Sequence, residues 1–306
     1  MVLTAMVLIG SSTAMAARFA LAGLPIAFIP LARFGIAGVL LLPVVLRSPS
    51  LSRLMRQDFP RLALAAALCV PVNQMFFLNG AQRAPTSHVG IIYAACPLVV
   101  LLLAAWMKIE RLTARRLIAV IASVAGVAVL AIGNLGVPGG SGTRVFEGDL
   151  LLLGAVISWG GYMTVTKPLV ERHGSLATLA GTFLIGSLLQ VAVILATGLE
   201  SIRLSHVPAA SWWSLAYLCL VATTFGLACQ NFALKRLEAS HVATVGNLSP
   251  LLTVVWGVLL LGEPLSPALV LGGGLAIVGM AIASRAPFAS PVSERPELAL
   301  ATQGEA

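Results

Sequence analysis

Ten stretches of this chain, each about 17–25 residues long and nearly free of charge, are long enough to cross a hydrocarbon layer of about 30 Å as helices. They run approximately over 3–22, 27–46, 62–80, 87–107, 114–133, 149–168, 175–197, 211–233, 241–261 and 267–284. In lipid a backbone has no water to bond to, so an uninterrupted apolar segment of this length must satisfy its own amides as a helix. Only 10% of the 306 residues are charged, against about 25% in a soluble domain. A buried core does not explain that deficit, because a soluble protein of this size still needs a polar surface. The expected fold is an all-α integral membrane protein of ten transmembrane helices. Met1 to Ala17 has no basic leading region, so it reads as the first of these helices and not as a cleaved signal.

The chain also repeats itself. Residues 81–130 return at 234–283, an offset of 153, which carries Arg83 to Arg236, Ser87-His88-Val89 to Ser240-His241-Val242, Pro97 to Pro250, Glu110 to Glu263 and Gly126 to Gly279. Between the fifth and sixth stretches lies 134–148, rich in Gly, whose composition is that of a flexible linker. The expected organisation is a five-helix unit over 1–133, the linker, a second five-helix unit over 149–285, and a disordered cytoplasmic tail over 286–306, polar and broken by Pro287, Pro291 and Pro296.

A net charge of +8 would suggest nucleic acid in a soluble protein, but here the cations sit in the short connections. With the N-terminus in the cytoplasm, the inner side holds Arg47, Arg53, Arg56, Arg61, Lys108, Arg111, Arg115, Arg116, Lys167, Arg172, Lys235, Arg236, Arg285 and Arg295. The outer side holds Arg18, Arg83, Arg144 and Arg203, while Arg33 falls within the membrane. This asymmetry places both termini inside. Five helices per unit is odd, so the second unit enters from the opposite face. The halves are then inverted repeats about an axis in the membrane plane.

Polar groups in hydrocarbon mark candidate sites. Arg33 is a candidate for the central cavity or for an anionic solute, and snorkelling to the interface is the alternative. Asn73 and Gln74 in the third stretch and Gln230 in the eighth are candidates for cavity lining or for helix-to-helix hydrogen bonds. Pro97 and Pro250 are hinge candidates, each nine residues after a histidine, with Tyr93, Cys96, Asn247 and Ser249 clustered just before them. Trp159 and Tyr162, beside Gly160-Gly161, supply ring faces to a solute or to a neighbouring helix. His88 and His241 are the candidates for proton coupling. No carboxylate is expected mid-span, and Glu110, Glu263, Gly126 and Gly279 read as structural. The four cysteines lie within apolar runs without metal-ligand spacing. No nucleotide-binding, zinc-protease or serine-hydrolase motif is present, so neither catalysis nor a cofactor is implied.

Ala239-Ser240-His241 through Pro250 to Gly262-Glu263-Pro264-Leu265, followed by the helix carrying Gly279, resembles the EamA family of the drug/metabolite transporter superfamily. Ser87-His88 to Glu110, Leu31-Ala32-Arg33-Phe34, Ile9-Gly10-Ser11-Ser12 and Ser158-Trp159-Gly160 extend the resemblance, with Ile9 where the family usually has tryptophan. The resemblance implies a secondary transporter with a cavity between inverted halves, exporting amino acids, other small metabolites or drugs. Its expected partners are a small-molecule solute and membrane lipid, in a bacterial inner membrane. An uptake carrier and a non-transporting membrane scaffold stay open as alternatives, and the sequence sets no oligomeric state.

Overall fold

The computed structural model describes residues 2–46, 49–106, 114–133, 141–198, 207–226, 229 and 248–284. Every regular element among them is helical: α1 (Val2–Leu21), α2 (Phe28–Leu46), α3 (Pro49–Gln57), α4 (Phe59–Ala67), α5 (Asn73–Arg83), α6 (Thr86–Ala94), α7 (Cys96–Trp106), α8 (Ala114–Ile132), α9 (Ser141–His173), α10 (Ser175–Thr197), α11 (Ala209–Ala216), α12 (Leu248–Leu261) and α13 (Pro267–Ser284). Among the described residues four stretches are long and apolar enough to cross a membrane, namely Thr4–Leu21, Phe59–Arg83, Gly142–His173 and Ser175–Thr197. The bundle is inside-out by the standards of a soluble protein. Leu188, Leu195 and Leu259 are 70%, 81% and 73% exposed, whereas Asn73, Gln74, His88, Asp149 and Gln190 are buried. Water would not tolerate that surface, and lipid would. The protein is a multi-pass membrane protein.

Part of the expected linker is helical. Residues 141–148 form the first two turns of α9. Gly148 acts there as a packing residue, because a Cβ on it would stand 2.8 Å from the Ala84 amide nitrogen and 2.9 Å from Arg83 Cβ. Its missing side chain lets α9 lie against the α5–α6 turn. The remainder of the expected linker, together with Glu110, Gln230, His241, Asn247 and the 286–306 tail, lies outside the described residues.

Two helices are wound into π turns at matching places. The Asn73 amide donates to Leu68 O and the Gly226 amide donates to Val221 O, which closes the segments Leu68–Val72 and Tyr217–Phe225. Those residue pairs differ by 153, the separation that also relates Ser123 to its hydrogen-bond partner Ala276 O, 3.3 Å away. Around that bond α8 and α13 meet backbone to backbone. A Cβ on Gly126 would stand 2.5 Å from Gly272 O and 2.7 Å from the Ala276 nitrogen, and one on Gly279 would stand 2.7 Å from Ala119 O. Only hydrogen fits at these crossings.

The two ends of the bundle are tied by different chemistry. At one end Gly262, with φ 65°, terminates α12, and the Glu263 amide reaches back 3.1 Å to Gly257 O. This is a left-handed helix ending, for which glycine is the residue of choice. It turns the Glu263 carboxylate onto the start of α6, where it accepts from the Thr86 amide at 2.6 Å and the Ser87 amide at 2.7 Å. An anion there satisfies otherwise unpaired amides and meets the positive end of the helix dipole. Gly257 makes room, since a Cβ on it would stand 2.5 Å from Glu263 Oε2. Arg18, near the end of α1, donates to Glu263 Oε1 at 2.9 Å. This is the Glu263 end.

At the other end Asp58, just before α4, accepts from His173 Nε2 at 2.9 Å and from Arg172 at 3.5 Å. The His173 hydrogen bond, with the Arg172 charge adding to it, holds the Asp58 carboxyl below the usual carboxylate range. This is the Asp58 end. α9, whose 33 residues span about 50 Å, runs from one end to the other. Beside the Asp58 end α3 lies with Leu54 buried and Arg53 and Arg56 exposed, the pattern of a helix at a membrane interface.

Replacing Glu263 by alanine strands two buried amides and Arg18, and thermal unfolding in detergent should show a loss of about 2 kcal/mol. A depressed carboxylate pKa stabilises the fold above about pH 4, and the contribution is lost as pH falls through the lower folded-state value. Melting temperature should therefore drop more steeply from about pH 5 to about pH 3 in the native protein than in Asp58→Asn. Parallel curves would place no such linkage at Asp58.

Candidate functional site

A cavity of about 190 Å³ opens between α1, α2, α5, α6, α9 and α12, lined by Gly10, Thr13, Ala14, Arg33, Asn73, Gln74, Phe77, Val89, Gly90, Tyr93, Trp159, Ser249, Pro250 and Thr253. At about 10–15 Å³ per water-sized site, it has room for a solute of about a dozen non-hydrogen atoms. Among the described lining residues Arg33 is the cation, and none is Asp or Glu.

Arg33 points across the bundle. Its Nε donates to Thr223 Oγ1 at 2.6 Å, Nη1 lies 3.5 Å from Gln74 Oε1, and the guanidinium stands 5.1 Å from the centre of the Phe34 ring. Two neutral acceptors and an aromatic face hold the cation without neutralising it. The Thr223 hydroxyl in turn donates to Leu218 O at 2.8 Å, five residues back, a reach that the π turn provides.

The amides extend this network to the far wall. Gln74 Nε2 donates to Asn73 Oδ1 at 2.8 Å, and Asn73 Nδ2 donates to Ala155 O at 2.7 Å and to Ser158 Oγ at 3.3 Å. Both amides follow directly on the first π segment, which turns them inward. On the opposite side α12 is stitched to α1: Ser249 donates to Val7 O, Thr253 to Ser11 O and Trp256 Nε1 to Ser11 Oγ, at 3.2, 3.0 and 2.9 Å. Gly90 brings α6 close, since a Cβ there would stand 2.5 Å from Pro250 O.

The structure brings Arg33, Asn73, Gln74, Tyr93, Trp159, Ser249 and Pro250 to one cavity. Other candidates stand elsewhere. Tyr162 is buried behind Trp159, ring centres 5.0 Å apart, and belongs to the core between α2, α4, α9 and α10. Cys96 is half-buried against the main core and does not line the cavity. Pro97 is the second residue of α7, and the helix breaks before it, at Ala95. The sequence reading missed the cavity wall's small residues, Gly10, Thr13, Ala14 and Gly90. It also missed Thr223 and one buried acid.

That acid is Asp149. Asp149 is the first residue of the sixth apolar stretch, and it is 2% exposed because α9 begins eight residues before it. Its Oδ1 lies 2.8 Å from His88 Nδ1, and its Oδ2 is buried without a hydrogen-bond partner among the described residues. The available sign was a lone acid at the edge of an apolar run, opposite a histidine at the edge of another.

Comparison with known proteins follows the same outline. The model of the EamA-like transporter family matches residues 1–132 and again 146–285. A probable terminal-alkyne amino-acid exporter of Streptantibioticus cattleyicolor is 28% identical over 279 residues, 88% of each chain. The uncharacterized transporter YyaM of Bacillus subtilis is 23% identical over 254 residues, 82% of each chain. A protein of known crystal structure superposes with a TM-score of 0.61 over 92% of this chain and 95% of its own, at 20% identity, a likeness of fold alone.

Thr223→Val keeps the shape of the wall but removes the acceptor of the Arg33 Nε–H. Thermal unfolding should show a loss of about 1.5–3 kcal/mol, the range for a hydrogen bond to a charged group. An unchanged melting temperature would mean that the guanidinium is held by something else.

Proposed function

The chain belongs to the EamA-like transporter family, and from that premise we propose that it is a secondary carrier exporting a small amino-acid-like solute by alternating access. The cavity carries this reading: an uncompensated Arg33 faces a space of about 190 Å³ with aromatic walls at Phe77, Tyr93 and Trp159. A carboxylate would dock on the guanidinium, and an apolar or aromatic side chain would lie against the rings. A cationic solute would meet Arg33 with no acid among the described lining residues to offset it. The exporter of Streptantibioticus cattleyicolor, named for an amino acid, points to the same class.

In this reading ten helices span a bacterial inner membrane as two inverted five-helix units. Support comes from the six shorter apolar helices that accompany the four long ones, and from the two separate matches to the family model. Repeated helices also run in opposite directions. α1 ends at the Glu263 end, where α9 begins, and α12 ends there, where α6 begins. The excess of basic residues supports a cytoplasmic position for the Asp58 end and both termini. Ion pairs cross between the units at both ends, Arg18 to Glu263 outside and Arg172 to Asp58 inside. Breaking one set while keeping the other would open the cavity to one side at a time.

The test is uptake and release of radiolabelled amino acids, singly and pooled, by sealed vesicles containing the purified protein. Saturable flux is expected for a solute bearing a carboxylate, and its direction under imposed gradients separates export from uptake. Arg33→Gln should lower transport efficiency at least about tenfold, since the lost charged hydrogen bond is worth about 1.5–3 kcal/mol. Equal flux in that variant would remove Arg33 from the binding site. Absence of flux for every carboxylate-bearing pool would favour the scaffold reading.

A further inference from the structure

We propose that His88 and Asp149 form a proton-binding site whose occupancy closes the Glu263 end of the bundle. The proposal rests on the carrier reading above, because a carrier must open and close that end. It goes further in naming the proton as a ligand and locating where it binds.

The geometry is that of a built site. His88 is the third residue of α6, in the 1–133 unit, and Asp149 lies in α9, in the unit that follows. Their side chains are 5% and 1% exposed, 2.8 Å apart. Asp149 Oδ2 is buried and has no hydrogen-bond partner among the described residues. Among the described residues, the other charged groups that the surrounding helices bring to this end are engaged elsewhere or face outward. Arg18 of α1 is paired with Glu263, which follows α12. Arg83 of α5 bonds Asn79 O and Oδ1 at 2.9 and 3.0 Å. Arg144 and Glu147, on the first turns of α9, are exposed. α12 and α13 carry no ionisable Asp, Glu, Lys, Arg or His, and the arginines of α8 are at its opposite end. Among the described residues His88 is thus the counter-group for Asp149.

The protonation states differ in what they ask of the surroundings. With one proton added to a neutral imidazole and a carboxylate, the pair is electrically neutral and suits a closed, dry bundle. Without it, the carboxylate keeps a net negative charge whose second oxygen has no donor. Separating α6 from α9 lets water reach that oxygen, so the deprotonated pair favours the open end and the protonated pair the closed one. The Glu263 carboxylate clamps the two residues just before His88, which links the pair to the tie between the units. A proton arriving from outside would therefore reclose the emptied carrier.

Ala84, 4% exposed at the α5–α6 turn and against Gly148, is the reporter. In protein lacking the four native cysteines, Ala84→Cys is labelled with a membrane-impermeant maleimide, and the rate is divided by that of Glu147→Cys, an exposed reference. The normalised rate should rise about tenfold from about pH 5.5 to about pH 8, and the rise should vanish in His88→Gln and in Asp149→Asn. A flat profile with the native pair, or an unchanged rise in a folded variant, overturns the proposal. His88→Gln alone decides the matter should Asp149→Asn not fold. Since labelling needs no solute, a flat profile with flux intact sinks the proton site and leaves the carrier standing. A steep profile without flux does the reverse.

Discussion

Hydrocarbon contains no water to take up an unpaired amide, and this constraint governs where the helices of this chain can be interrupted. Each interruption among the described residues has its own cover. The start of α6 is covered by the Glu263 carboxylate, delivered from another helix by the turn at Gly262. The two π segments close their own rings five residues back, at Leu68 and Val221. At the break before Pro97, the Ala95 amide turns back to Ile92 O. These interruptions surround the cavity: Asn73 and Gln74 follow one π segment, Thr223 lies in the other, and Tyr93 stands two residues before Ala95. Irregular backbone in a membrane is tolerated where it is buried or lines a cavity, and it lets side chains leave the regular helical register and face inward.

Arg33 and Asp149 meet the cost of burial in opposite ways. Arg33 has a hydroxyl, an amide oxygen and an aromatic face around it, all neutral, so its charge is held in place and left available. Among the described residues Asp149 has one titratable partner, and its second oxygen has none. The first arrangement suits a ligand that brings its own negative charge, and the second suits the smallest cation.

Much of this was legible in the sequence, because lipid penalises polarity and so makes each polar residue conspicuous. Arg33, Asn73, Gln74 and Trp159 stand out from apolar surroundings and meet at one cavity. Gly10, Ala14 and Gly90 did not stand out, since a wall made by the absence of a side chain leaves no mark of residue type. Asp149 was obscured differently. Gly-rich composition before it suggested a linker, so the acid seemed to lie at a boundary, whereas α9 continues through that segment and carries Asp149 inside. Tyr162 is one helical turn from Trp159, and periodicity alone does not tell the residue that lines a space from the one packed behind it. The carboxylate of Glu263 was visible, but its partners, the amides of residues 176 and 177 positions away, leave no trace in composition.

The seam between α8 and α13 has a mechanical consequence. Where side chains interdigitate, helices slide by exchanging rotamers, but at Gly126, Gly272 and Gly279 backbone rests on backbone and there is nothing to exchange. Such a crossing resists shear and still permits pivoting, in the manner of a pin through two bars. With the pin at α8 and α13, displacement grows with distance from it. The helices around the cavity, farther out on the lever, would travel most while the seam itself hardly moves.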